Sequence, residues 1–144
     1  MKYFGTDGIR GQYKGAVVNE DFAYSFGRAL SKYLNASHEN AKTVLLGRDT
    51  RPSGESLASA LCIGLKDGGS QAFQAGTLPT PALAFGVIDG AFDLGVMITA
   101  SHNPPSSLLR LRYLEPRPAW SMISPMRARK TMPNSRARRC SIVS

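Results

Sequence analysis

The sequence predicts an α/β fold on a largely parallel sheet, and three observations carry that prediction. Short apolar runs alternate with amphipathic runs in the order strand, helix, strand, helix, strand. Glycine or proline marks most of the junctions between them. The stretch that holds this alternation, residues 1–105, has balanced charge and all 14 glycines, whereas residues 106–144 have neither.

The elements follow in order. In residues 19–34 Phe22, Phe26, Ala29, Leu30, Tyr33 and Leu34 recur at three- and four-residue steps, which predicts a helix with one apolar face. Asn19 is its expected N-cap, and Glu20 and Asp21 complement the dipole of its first turn. Residues 43–47, TVLLG, are a β-branched and apolar run ended by glycine, which fits a buried strand. RDTRPSGES is then a loop, with Ser53 placed to cap the next helix. In that helix Leu57, Ala60, Leu61, Gly64 and Leu65 form the apolar face, and Gly68-Gly69 ends it. Residues 70–76 are a weaker strand. Residues 81–89 are a short helix opened by Pro81, and residues 94–99, LGVMIT, are a third strand. In open parallel sheets functional groups gather on loops beyond the C-terminal ends of strands. Arg48 and Asp49 follow one strand and Ser101 follows another, so their loops should share one edge of the sheet.

Length and composition limit the possible functions. A chain of 144 residues fits one domain with a real core. Cys62 and Cys140 are too few for a disulfide framework or a zinc ligand set. With no basic-then-apolar leader and no apolar run of about 18 residues, the expected setting is cytoplasmic, with no membrane partner. The net charge of +8 suggests a nucleic-acid or anionic-lipid partner, but its distribution argues against one. Residues 1–105 hold 9 Lys+Arg and 9 Asp+Glu, so the whole excess lies in residues 106–144. There Pro116, Pro118, Pro125 and Pro133 interrupt the chain, and the basic residues make no periodic face. The segment reads as a disordered or poorly packed basic tail. A basic module gripping nucleic acid is the rival reading, and nucleic acid is not the expected partner.

Three stretches could carry chemistry. FGTDGIRG sets Gly5, Gly8 and Gly11 around Asp7 and Arg10. By itself it reads first as a glycine-rich turn with a solvated arginine, although the Arg10 fork suits phosphate. GRDTRPSG places Arg48 and Arg51 around Asp49, as local charge pairing or as an anion-receiving loop beside a helix N-terminus. TASHNP puts Ser101 beside His102 and Asn103, as a plain serine turn or as a reactive serine. A Ser-His-Asp triad fits poorly, because adjacent side chains seldom face each other and a G-x-S-x-G elbow is absent. A phosphoryl-carrying serine fits better, since it needs electrostatic stabilisation more than an adjacent base.

Together FGTDGIRG, GRDTRPSG, TLPTPALAF and TASHNP resemble, in order and spacing, the N-terminal domain of the α-D-phosphohexomutases, with the first motif most similar to the phosphoglucosamine mutase branch. The resemblance covers residues 1–105. It implies a three-layer α/β/α domain with a mostly parallel mixed sheet, and hexose or hexosamine phosphate as substrate. It further implies that Ser101 carries the phosphoryl group, that its phosphate binds Mg²⁺, and that Arg10 steadies phosphate. His102 and Asn103 would shape the catalytic loop, with Arg48 and Arg51 as phosphate-binding candidates. The chain departs from the pattern after SHNP, where the family's Asp-Asn-Gly-hydrophobic-Lys stretch and its Asp-rich metal loop are missing. The resemblance therefore implies a truncated first domain, inactive alone, joined near residue 105 to a tail of frameshift or rearrangement origin. Phosphoglucomutase or phosphomannomutase is the alternative within the family.

Overall fold

The computed structural model describes residues 8–36, 42–100, 109–114 and 138–139, the last two segments by backbone alone. Its central strands bury both faces. In β2 (Thr43–Arg48) and β4 (Leu94–Thr99) every buried side chain is apolar, and the pleat sends alternate ones to opposite sides. Val44, Leu46, Leu94, Val96 and Ile98 join one core with Leu57, Leu61 and Leu65. Leu45 and Met97 join a second core with Leu83 and Val87. Two cores on one sheet require helices on both faces, which gives the three-layer α/β/α architecture.

Helices α1 (Glu20–Ala36) and α2 (Ser53–Asp67) cover the first face. Asn19 caps α1 as its sequence position predicts, its Oδ1 accepting the Phe22 N–H at 2.8 Å. Tyr13 donates its hydroxyl to Glu20 and also reaches Ser56 Oγ at 3.1 Å, so the start of α1 is tied to α2. The Tyr13 bond also holds the Glu20 carboxyl below its ordinary pKa. The buried seam of α1 is not centred on its large side chains. Ala23, Gly27, Leu30 and Ser31 are buried, Phe22, Phe26 and Leu34 pack at its margins, and the expected Ala29 and Tyr33 are exposed. Small residues hold the seam because the two backbones nearly touch. A Cβ on Gly27 would lie 2.5 Å from the Leu61 carbonyl oxygen, and one on Gly64 only 2.1 Å from that of Tyr24.

The ends of α2 correct one expectation and match another. Pro52, not Ser53, holds the N-cap position, and no side chain caps the helix there. Ser53 is its first residue, because Gly54 N–H and Glu55 N–H already bond back to the Arg51 and Pro52 carbonyls. At the other end Ser70 N–H reaches Leu65 O at 3.0 Å and Gly69 N–H reaches Lys66 O at 2.9 Å. This Schellman closure needs a left-handed residue, and Gly69 supplies φ +94°. Helix α3 (Thr80–Asp89), with Pro81 in its first turn, lies on the second face and buries Leu83 and Val87. Its end repeats the same bonds, from Phe92 N–H to Val87 O and from Ala91 N–H to Ile88 O.

The strand order is β1-β5-β4-β2-β3-β6. The parallel centre is β4, β2 and β3 (Gln71–Thr77), as the alternation predicts. The flanks are antiparallel. β1 (Ile9–Gly11) pairs with β5 (Leu109–Leu114), which pairs with β4, while β6 (Arg138–Arg139) pairs with β3. Neither β5 nor β6 was expected, since both fall in the segment that reads as a patternless basic tail. β1 replaces what reads as a bare glycine-rich turn.

Opposite the strand C-termini, Asp93 joins the starts of β2 and β4. Its carboxylate accepts the Thr43 N–H at 2.8 Å and the Thr43 hydroxyl at 2.9 Å, and it pairs with Lys42 at 3.2 Å. Burial pushes the Asp93 pKa up, but the Thr43 bonds and Lys42 outweigh it, so the carboxyl sits below its usual value. A lowered native pKa means stability that is present above the unfolded value of about 3.9 and is lost as pH falls through the native one. Asp93→Asn should therefore cost about 1 kcal/mol at pH 7, limited by partial exposure, and almost nothing below both pKa values. Urea titrations at the two pH values check this.

Candidate functional site

The chain runs from β2 through α2 to β3 on one side, then through α3 to β4 on the other. The crevice between β2 and β4, at their C-terminal ends, is therefore the sheet's topological switch point, where open α/β sheets bind ligands. Two predicted loops meet there. Arg48 ends β2 and Asp49 follows it, while Thr99 ends β4 and Ala100 follows it.

Asp49 organises this crevice. Its N–H donates to Ile98 O at 3.0 Å, and its Oδ2 accepts the Ala100 N–H at 3.0 Å. Its Oδ1 accepts the Arg51 N–H at 3.2 Å, and the Arg51 guanidinium lies 3.7 Å from Oδ2. Arg48 O accepts the Leu78 N–H at 3.0 Å, which brings in the loop after β3. The ends of all three parallel strands are thus bound together. Sequence reading treats Asp49 only as a charge partner within its own loop. A short carboxylate one residue past a strand's end is the signal that could have pointed further, since it can reach the backbone of the neighbouring strand.

Arg48 and Arg51 do lie in this loop, and both are largely buried. The Arg48 guanidinium sits 3.5 Å from Glu55, which is itself exposed, and donates weakly to Asp49 O. Two arginines face two carboxylates, so the loop is locally neutral. An incoming phosphate would have to draw the guanidinium groups from their partners, and the exposed Glu55 pair is the easier to release. The backbone N–H groups of Arg51, Gly54 and Glu55 are already bonded within the loop.

Arg10 reaches the same edge by another route. In the register of β1, β5 and β4, Arg10 stands opposite Arg110, which stands opposite Thr99. Arg10 is exposed, and its backbone lies two strand spacings from the end of β4, roughly 10 Å away. Ile9 is buried in the core under α1 and α2, so the pleat turns Arg10 to the α3 side of the sheet. Arg48 follows Leu46 on the α2 side, against Gly54. The two arginines share an edge but leave the sheet on opposite faces. Ser101, His102 and Asn103 lie outside the described residues. Ser101 follows directly on Ala100, the residue Asp49 holds.

Among the described residues no group of three His, Cys, Asp or Glu side chains is placed to hold a metal ion. Asp49, the acidic residue at the crevice, is committed to Arg51 and Ala100. The described side chains therefore do not fit a Mg²⁺ site of their own. No helix among these residues is long and apolar enough to cross a membrane.

Comparison with known proteins agrees with this architecture. The family model for phosphoglucomutase/phosphomannomutase, alpha/beta/alpha domain I, matches residues 1–109. The chain is 46% identical over 103 residues to a phosphoglucosamine mutase of Xanthomonas campestris pv. campestris (strain B100), covering 72% of this chain and 23% of that protein. It is 47% identical over 103 residues to that of Maricaulis maris (strain MCS10), with the same coverage. Among solved structures, a phosphoglucomutase/phosphomannomutase family protein from Burkholderia thailandensis superposes with a TM-score of 0.67 at 30% identity, over 78% of this chain and 26% of that one. The chain thus spans about a quarter of the length of its relatives. On this match of fold and sequence, the chain belongs to the phosphoglucomutase/phosphomannomutase family, as its α/β/α domain I.

Proposed function

We propose that this domain carries the phosphoryl group of a phosphohexomutase, and that the sugar pair is glucosamine 6-phosphate and glucosamine 1-phosphate. The observation that carries the reading is the place of Ala100. The residue before Ser101 is bound into the switch-point crevice of the sheet, where a ligand's phosphate would enter. The names of the relatives favour glucosamine phosphate over glucose or mannose phosphate, which the solved structure's family name keeps as the alternative.

In this reading phosphorylated Ser101 donates its phosphoryl group to the free hydroxyl of the sugar phosphate. The Oγ–P bond breaks as the sugar O–P bond forms, and the hydroxyl proton leaves to solvent or to Ser101. The bisphosphorylated sugar turns over and returns its other phosphate to Ser101. Catalysis of this kind is mostly positioning and charge neutralisation. Arg48, released from Glu55, and Arg10, at the same edge, are the phosphate partners, with Arg51 held back on Asp49. His102 and Asn103 shape the loop that presents Ser101. In the intact family Mg²⁺ bound to the phosphoserine supplies charge neutralisation, and no step is assigned to it on this chain. These 144 residues span about a quarter of the length of their relatives, and tested by themselves they should accept phosphate without sustaining turnover.

Incubation with glucose 1,6-bisphosphate followed by intact-mass measurement tests the proposal. The chain should gain one phosphoryl group, Ser101→Ala should gain none, and a coupled mutase assay should show no turnover. A phosphoryl gain that survives Ser101→Ala would sink the reading.

A further inference from the structure

We propose that Asp49 is the positioning residue of this site: its carboxylate fixes the backbone at Ala100, from which the chain continues to Ser101. The inference rests on the reading of Ser101 as phosphoryl carrier, and deepens it. Ala100 is fully buried and is the last residue before Ser101. Its N–H is not part of the β4 ladder. It is taken by Asp49 Oδ2 at 3.0 Å, from a residue 51 positions earlier in the chain. Asp49 is itself held from two sides. Its N–H is fixed on Ile98 O at 3.0 Å, and its other oxygen and its charge are fixed by Arg51 at 3.2 and 3.7 Å. A charge-assisted bond donated by the Ala100 N–H to a carboxylate locked in this way restricts that peptide more than a bond to solvent would. Arg51 thus acts through Asp49, holding its carboxylate in place.

For the transfer itself, Ser101 Oγ must lie in line with the phosphorus of the bisphosphate. The new Oγ–P bond forms as the sugar O–P bond breaks, and the Ser101 hydroxyl proton passes to the departing sugar oxygen or to water. Misplacing the peptide by about 1 Å is enough to slow such a step strongly.

The test uses the full chain, glucose 1,6-bisphosphate as phosphoryl donor, and amide exchange at Ala100 read by NMR. Asp49→Ala should expose the Ala100 amide and raise its exchange rate about tenfold or more. It should also slow phosphoryl uptake by a similar factor while the core amides of β2 and β4 stay protected. Asp49→Asn keeps one acceptor oxygen where aspartate has two, and should fall between wild type and Asp49→Ala. It also serves if the alanine variant does not fold. An Ala100 amide as protected in both variants as in wild type overturns the proposal, as does full-rate phosphoryl uptake with that amide released. Failure of the underlying reading looks different: wild type takes no phosphate, or Ser101→Ala takes as much. In that case the Ala100 amide alone decides whether Asp49 positions the chain, and unchanged exchange rejects it.

Discussion

Gly64→Ala is expected to destabilise the fold by about 3 kcal/mol or more, although alanine is the better helix former. Two effects compete. In the middle of a helix the change gains about 1 kcal/mol of intrinsic propensity. Against it, the new Cβ would lie 2.1 Å from the Tyr24 carbonyl oxygen and 2.9 Å from its carbon. Those are backbone atoms of α1, so no side-chain rotation relieves the clash. Gly27 faces Leu61 with the same closeness, and α1 cannot slide along α2 to make room. The helices must separate, loosening the core of Leu30, Leu57, Leu61 and Leu65. Urea denaturation would measure the loss. A variant as stable as wild type would mean that the seam is looser than the contacts describe.

Leu83→Ala is expected to cost about 3 kcal/mol. Leu83 has no exposed surface and anchors α3; among the described residues its core holds three other buried residues, Leu45, Val87 and Met97, with Phe73, Ala75, Leu78 and Phe92 packed against them. On the outer side of the same helix Phe85 and Ile88 are exposed and add little to this anchoring. A second substitution makes the prediction sharper. A Cβ on Gly47 would meet Leu83 Cδ1 at 3.1 Å and Met97 Sδ at 3.3 Å. Gly47→Ala should therefore destabilise wild type and cost clearly less when Leu83 is already alanine. Denaturation of the four chains of this cycle gives the coupling, and strictly additive costs would refute the contact.

The parallel centre of the fold was legible because its signals are local. LGVMIT spans β4 from end to end, and Asn19 caps α1, because strand burial and capping act over a few residues. Three features were not legible, each for its own reason. The seam of α1 looked like a stripe of large apolar residues, but close approach to α2 moved it onto Gly27 and Ser31. The cap of α2 fell on Pro52 because the preceding loop supplies its own backbone bonds. β5 alternates Leu and Arg through LRLRYL, a period-two pattern overlooked beside the prolines and net charge of its surroundings. Of these, the seam depends on a partner far away in sequence, while the cap depends on the conformation of the loop before it. The site divides in the same way. That Arg48 and Arg51 share a loop with Asp49 is plain from their spacing, whereas the bond between Asp49 and Ala100 spans 51 residues, and its one local sign is a carboxylate just past the end of β2.

The position of β5 between β1 and β4 also sets an order of assembly. Among the described strands β1 pairs only with β5, with Ile9 opposite Leu111. Residues 9–11 leave the ribosome early but have no strand to pair with until residues 109–114 have followed. The parallel centre, α1 and α2 can form from residues 19–99 beforehand, with loops of moderate length to close. Joining β1 then pairs residues about 100 apart in sequence across a centre that is already folded, so the step waits on synthesis of residues 109–114 and not on closing a long loop. Arg10, though made first, is therefore the last of the described residues at this edge to be held in place. A nascent chain halted before residue 109 would carry Asp49 and Ala100 in place, with Arg10 still unattached.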